Sequence, residues 1–257
     1  MTSAQLMSPG TARFAVLLGC WVVLLGFTAP SGCTRHGRLT SPTGLSSPVG
    51  QTRLWAVVPF TNESGVSTVD SFRVADAFTQ QLEQVRGIDT VAVNRVVNAM
   101  RAAKIVSVGT PNEAFILMES LQVDAIVVGT ITAFDPYPPP TLGMAIQVFT
   151  RDARHGGHAL DTQALTRAPT DDTVATGFKG FQATAQAAGV FDARNHTTLA
   201  LLRKYATGRT EPDSPFGNEV YLMDIELYTQ FVSYWLIHDL LNFERSRLSP
   251  VADAAQR

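Results

Sequence analysis

The sequence predicts an α/β fold: a mixed sheet in the order β-α-β-α-α-β followed by an antiparallel hairpin, covered by helices, with a long carboxy-terminal helix. Three observations predict it. Short apolar runs at 54–58 and 124–132, the pattern of strands covered on both faces, and a further strand at 88–93 alternate with stretches of helical periodicity. Beyond Phe134 the runs give way to alternation broken by Pro and Gly, which is hairpin grammar. After Asn218 apolar and aromatic residues hold heptad-like spacing to Phe243, which predicts one long helix.

The elements follow in order. Leu54–Val58 is the first strand, and Pro59, which cannot donate to a ladder, ends it ahead of turn-forming residues Asn62–Ser67. From Ser71, Phe72, Ala75, Phe78, Thr79 and Leu82 recur at three and four, with Gly87 as a cap. Ile88–Val93 is a second strand. Asn94 then caps a helix carrying Val96, Val97, Met100 and Ala103, and a helix over Pro111–Leu121 presents Ala114, Leu117, Met118 and Leu121 on one side. Asp124–Thr132 is the third strand. Asp135–Pro140 breaks the chain, Met144–Thr150 alternates as a strand, Arg151–His158 turns, and Ala159–Arg167 returns as its partner. Asp192–Ala206 is a helix with Leu199, Leu202 and Tyr205 on one face, and Thr207–Gly217 is a polar loop.

Ahead of the fold, residues 1–33 form a signal segment: polar Met1–Arg13, apolar Phe14–Thr28, then Ala29-Pro-Ser-Gly-Cys33. The apolar run falls short of the ~20 residues a spanning helix takes. Its end resembles the bacterial lipobox, whose cysteine carries lipid, and this makes Cys33 the lipidation candidate. Pro30 stands where that motif prefers Leu, and Leu17-Leu-Gly-Cys20 is a better local match placed mid-run. A plain cleaved signal and a retained anchor stay open. Residues 34–52, rich in Ser, Thr, Gly and Pro, cannot repay ordering entropy and predict a flexible tether. The domain plan is therefore a signal over 1–33, a tether over 34–52, an α/β domain over 53–167, a loop and helix over 168–217, an aromatic-rich helix over 218–245 and a disordered tail over 246–257.

Composition narrows the function. The 257 residues are 45% hydrophobic with a formal net charge of −2, enough to bury a sizeable core and too evenly charged for a nucleic-acid stripe. Cys20 and Cys33 both precede the folded region, so the domain has no internal disulfide and no thiolate metal site. His155 and His158 flank Gly156-Gly157 with no third ligand at useful spacing. Adjacent on one helix, His238 and Asp239 diverge by about 100° and are not expected to pair. No phosphate-cradling glycine motif or nucleophile elbow is present. No cofactor, metal or catalytic residue is expected.

Trp55-Ala-Val-Val-Pro-Phe-Thr-Asn62, the helix ending in Leu82, Val91-Ala-Val-Asn-Arg95 and Val123-Asp-Ala-Ile-Val-Val-Gly-Thr130 together resemble the CsgG-type curli-assembly lipoproteins and the amino-terminal domain of TolB. The resemblance covers roughly residues 53–245 and continues weakly through Ala188-Gly-Val-Phe191. It implies an envelope lipoprotein on the periplasmic side, with envelope proteins as partners and a homo-oligomer as a further expectation; Thr34 rather than Asp after the lipidation candidate Cys33, by resemblance to enterobacterial sorting, points to the outer membrane. Pore-forming members insert long β-hairpins, whose strands take about 9 to 11 alternating residues. Here Phe134–Leu142 holds four prolines, and 170–188 has room for one short hairpin at most. The expectation is a non-enzymatic interaction or assembly component without its own pore. The alternatives are a hydrolase or nucleotide-binding envelope protein with an unrecognised site, and an oligomeric secretion channel. Six aromatics lie between Tyr221 and Phe243. With Ile225, Val232 and Leu236 turned to the sheet, Phe231 and Tyr234 are the expected partner face.

Overall fold

The computed structural model describes residues 41–151, 183–210 and 214–254. Six strands form one mixed sheet: β1 (Arg53–Val57), β2 (Thr61–Asn62), β3 (Ile88–Val91), β4 (Ala125–Asp135), β5 (Thr141–Thr150) and β6 (Ala185–Asp192). The helices are α1 (Ser71–Glu83), α2 (Val93–Ala102), α3 (Pro111–Leu121), α4 (His196–Ala206), the short α5 (Val220–Met223) and α6 (Ile225–Ala254).

The spatial order is β3-β1-β4-β5-β6, with β2 beside β4. β1 runs parallel to β3 from Arg53↔Ile88 to Ala56↔Val91, and parallel to β4 from Trp55↔Ala125 to Val57↔Val127. β4 and β5 form an antiparallel hairpin whose last pair is Asp135↔Thr141, and β5 pairs antiparallel with β6 from Thr141↔Asp192 to Val148↔Ala185. The feet of the β5–β6 connection are tied to each other: the Thr150 amide donates to Thr184 Oγ1 at 3.2 Å, and the two hydroxyls lie 2.8 Å apart.

Local chemistry sets the helix starts. The Asp70 carboxylate accepts from the amides of Phe72 and Arg73 at the start of α1. Thr110 and Glu113 form a reciprocal capping box ahead of Pro111, so α3 begins sharply. At α4, Asn195 accepts from the Thr197 amide.

Two apolar layers sandwich the sheet. Trp55, Val57, Val127, Ile131, Met144 and Ile146 pack against α1, α4 and α6, whereas Ala56, Val58, Ile126 and Phe149 pack against α2 and α3. The strands between them carry apolar residues on both faces, as their continuous runs predict.

The run Trp55–Asn62 is a packing joint. Pro59 releases the chain from the ladder after β1, and Thr61–Asn62 rejoins the sheet beside Thr130–Ile131 of β4. Between them, the Phe60 ring lies on Gly129, where a β-carbon would meet three ring atoms at 2.6 to 2.7 Å. Glycine is there because a buried ring occupies the place of its side chain. Asn62 then folds the following turn, accepting from the Ser64 amide and donating to the Val66 carbonyl.

Several expectations need correction. β3 ends at Val91 and α2 starts at Val93, because the Ala92 carbonyl already accepts the amides of Arg95 and Val96. Phe72 is 51% exposed and does not belong to the inward face of α1. The expected return strand at 159–167 lies outside the described residues, and β5 has no edge left for it along Thr141–Val148, since β4 and β6 take both sides. Part of 170–188 belongs to this sheet instead, as Ala185–Ala188 of β6. The tether expected over 34–52 is partly docked: Ser46 bridges Arg86 and Leu45 packs on the core. A 3₁₀ turn at Gly217–Glu219 and α5 precede the long helix, which starts at Ile225 and runs to Ala254 through the expected tail.

Candidate interaction surface

The aromatic helix α6 is placed between α1, α4 and the sheet, and its seven consecutive residues Phe231–Ile237 are all buried. Phe231 is 0% and Tyr234 7% exposed, so the expected partner face is core. The physical reason is the number of neighbours: a helix flanked on three sides buries most of its circumference, and Phe-Val-Ser-Tyr-Trp-Leu-Ile is the all-round apolar run of such a helix.

The tyrosine hydroxyls in this cluster tie separate elements together. Tyr205 donates to Gln81 Oε1 on α1 at 3.3 Å, Tyr228 to the Phe191 carbonyl of β6 at 3.0 Å, and Tyr234 to the Thr43 carbonyl at 3.3 Å. The Arg209 guanidinium lies 4.3 Å from the Tyr205 ring centroid and 4.8 Å from that of Tyr234, and Nη1 donates to the Tyr205 carbonyl. Burial pushes the Tyr205 hydroxyl up to about 12, with Arg209 pulling against it. Burial, with the Asp192 carboxylate adding to it, raises Tyr228 as well. Both phenols are structural donors held in the neutral form.

His238 and Asp239 do meet, against expectation: Nδ1 and Oδ1 lie 3.0 Å apart. Their Cβ directions diverge, yet two side-chain torsions on each residue bring the tips together. The ring also packs edge-on to Trp235 at 5.0 Å, and Asn242 Nδ2 reaches it at 3.2 Å. From outside α6, Lys204 Nζ of α4 lies 5.2 Å from the Trp235 ring centroid. His196, at the start of α4, is exposed. Cys33, His155 and His158 lie outside the described residues. Among the described residues no group of three or more His, Cys, Asp or Glu is placed to hold a metal ion.

Two surfaces remain. A groove of about 480 Å³ runs between α1 and α2, with Phe72, Asp76 and Glu83 on one wall and Asn94, Val97 and Arg101 on the other. Glu83 Oε1 accepts from Thr90 Oγ1. Among the described residues the groove brings opposed charges together and pairs no nucleophile with a base.

The second surface is the outer end of the sheet. Helices α2 and α3 cover the sheet face above Ile126 and Phe149, and beyond Val128 the same face carries Thr130, Thr132, Ala145, Gln147, Gln186, Ala188 and Val190. Thr132, Gln147, Gln186 and Ala188 are exposed and Val190 is 63% exposed. All are uncharged. Among the described residues, β6 pairs only with β5. The sequence signal for this surface is faint, because Ala185-Gln-Ala-Ala-Gly189 has neither strong β-formers nor clean alternation.

No family model matches the chain, and no curated protein matches it. Among solved structures it is similar to the LpoB C-terminal domain from Salmonella enterica, at 11% identity and a TM-score of 0.37, covering 59% of this chain and 87% of that one. It is also similar to the hypothetical protein CT253 from Chlamydia trachomatis, at 9% identity and a TM-score of 0.33, covering 77% and 95%. Lipoprotein GNA1162 from Neisseria meningitidis is similar at 13% identity and a TM-score of 0.36, covering 58% and 92%. Likenesses of this size carry no argument about activity or partners.

Proposed function

We propose that the chain is a non-enzymatic lipoprotein of the bacterial cell envelope, anchored through Cys33 and acting as an interaction or assembly component without its own pore. The observation that carries this reading is the leader, an apolar run closed by Ala29-Pro-Ser-Gly-Cys33. The resemblance of Trp55–Asn62 and Val123–Thr130 to CsgG-type lipoproteins supports the same compartment. Thr34 after the cysteine favours the outer membrane.

The absence of a pore is supported at the β4–β5 turn, where such a hairpin would emerge. Asp135 pairs with Thr141 there, leaving only the proline-rich residues 136–140 to turn the chain. A partner-binding role is supported by the uncharged outer end of the sheet, where among the described residues β6 pairs only with β5 and small neighbours suit strand addition.

The test is fractionation with fatty-acid labelling. Cys33→Ala should lose the label and move the protein from the membrane to the soluble fraction, while Cys20→Ala should do neither. Equal release by both changes, or label retained without Cys33, refutes the anchor.

A further inference from the structure

The two walls of the groove between α1 and α2 differ in chemistry. On the α1 wall, Phe72 and Asp76 stand four residues apart on one helix face, and Glu83 follows two turns on. Phe72 is 51% exposed, whereas Phe78 of the same helix is 1% exposed. An exposed ring beside two carboxylates makes a seat for an ammonium or guanidinium group. On the α2 wall, Asn94 and Asn98 are likewise four residues apart, and Arg101 follows. Side-chain amides donate and accept together, as pairing with a peptide group requires, and a guanidinium matches a carboxylate. Buried Val93 and half-buried Val97 add apolar lining.

These opposed charges stand across the groove without cancelling one another. Among the described residues no ion pair joins Arg101 to Asp76 or Glu83, and the side chains of Asp76, Asn94, Asn98 and Arg101 take no hydrogen bond. Two further groups are set from outside the groove. Glu83 Oε1 accepts from Thr90 Oγ1 at 2.8 Å, and Gln80 Oε1 accepts from Gln230 Nε2 of α6 at 3.4 Å. Each keeps a second polar atom, Glu83 Oε2 and Gln80 Nε2, for a ligand. The walls are regular helices whose inner faces lie in the two cores, through Ala75, Phe78 and Leu82 of α1 and Val96 and Met100 of α2. The groups are therefore carried on rigid elements. The volume of about 480 Å³ falls in the range of small-ligand sites, roughly 300 to 1,000 Å³.

We propose that the α1–α2 groove binds a short peptide carrying a basic side chain and a free carboxylate. The cation sits on Phe72, Asp76 and Glu83, the peptide groups on Asn94 and Asn98, and the carboxylate on Arg101. Charge complementarity selects this ligand: a purely cationic one leaves Arg101 unmatched, and a purely anionic one faces two carboxylates. The site stands whether or not Cys33 carries lipid, and it does not involve the uncharged end of the sheet.

The test is an amide NMR titration of the isotope-labelled full chain in detergent micelles with three probes: N-acetyl-lysyl-alanine, its carboxamide, and N-acetyl-norleucyl-alanine. The first should give saturable shifts confined to α1, α2 and their neighbours. Losing the carboxylate or the ammonium should weaken binding about two- to fivefold each, the range of an exposed ion pair. Arg101→Gln should abolish the preference for the acid over the carboxamide while keeping the preference for lysyl over norleucyl. Asp76→Asn with Glu83→Gln should do the reverse. All three positions are exposed, so the unperturbed amide spectrum reports an intact fold. No saturable shift below about 10 mM, affinity indifferent to both charges, or variants that fail to separate the two preferences overturn the site. Shifts of the same amides with protein concentration alone would make the groove a contact between two copies, and they overturn it as well.

Discussion

Gly129→Ala tests the joint between β4 and the residues that follow β1. The added methyl would stand 2.6 Å from Phe60 Cε1 and Cζ and 2.7 Å from Cδ1, so the ring must retreat by most of an ångström. It has little room: Phe60 is 2% exposed and its ring centroid lies 5.6 Å from that of Phe78 on α1. Overpacking of this kind costs about 1 to 3 kcal/mol, and the loss of glycine freedom in the unfolded chain returns roughly 0.4 to 1 kcal/mol. The net expectation is a loss of about 1 to 2 kcal/mol, or roughly 2 to 8 °C in Tm for a domain of this size. Urea denaturation followed by circular dichroism measures it, with an unchanged m-value confirming that the loss is in the native state. Phe60→Leu removes the clashing ring edge, so the double change should destabilise less than the sum of the singles by about 0.5 to 2 kcal/mol. A neutral Gly129→Ala, or strict additivity with Phe60→Leu, would refute the steric account.

Three further outcomes follow from the same packing. Phe231→Ala, which deletes a fully buried ring in contact with Phe191, Tyr205 and Tyr228, should cost about 3 to 5 kcal/mol in chemical denaturation, where an exposed docking residue would cost almost nothing. The Tyr205 hydroxyl is raised to about 12, so the stability tied to its proton is fully present below pH 10 and is lost as pH rises toward 12; alkaline melts should show Tm falling across that window, less steeply in Tyr205→Phe. Burial pushes the Glu113 carboxyl up, but hydrogen bonds from Gly109 and Thr110 outweigh it and hold the group below its ordinary value. Its contribution is therefore present above that value and fades as pH falls through the lowered one; Thr110→Ala should cost about 0.5 to 2 kcal/mol at neutral pH by thermal melting, and less in acid.

What the sequence made legible was whatever a single segment could state. Leu54–Val58 and Asp124–Thr132 announce themselves by apolar runs, and the structure places them as adjacent parallel strands, with α3 over Pro111–Leu121 as expected. Relations between distant segments were harder to read. Nothing local to Gly129 says that Phe60 occupies its side-chain space, and nothing local to Thr43 says that Tyr234 binds its carbonyl. The aromatic helix misled for the same reason: periodicity assigns one buried side, but α1 and α4 converge on α6 and bury the others. The uncharged sheet edge escaped notice because β6 is built from alanine, glutamine and glycine, whose strand character comes from pairing with β5.

The bonded pair Thr150 and Thr184 makes the β5–β6 crossing a socket. The sheet's register is decided on the near side of that pair, so the chain leaves β5 and rejoins β6 at one point. Closing a flexible loop costs only ~0.6 kcal/mol more for each doubling of its length. A short turn, a long excursion or a whole inserted module could therefore occupy this position at nearly the same stability. That freedom lets one scaffold acquire new business at a fixed address while β4, β5 and β6 keep their alignment.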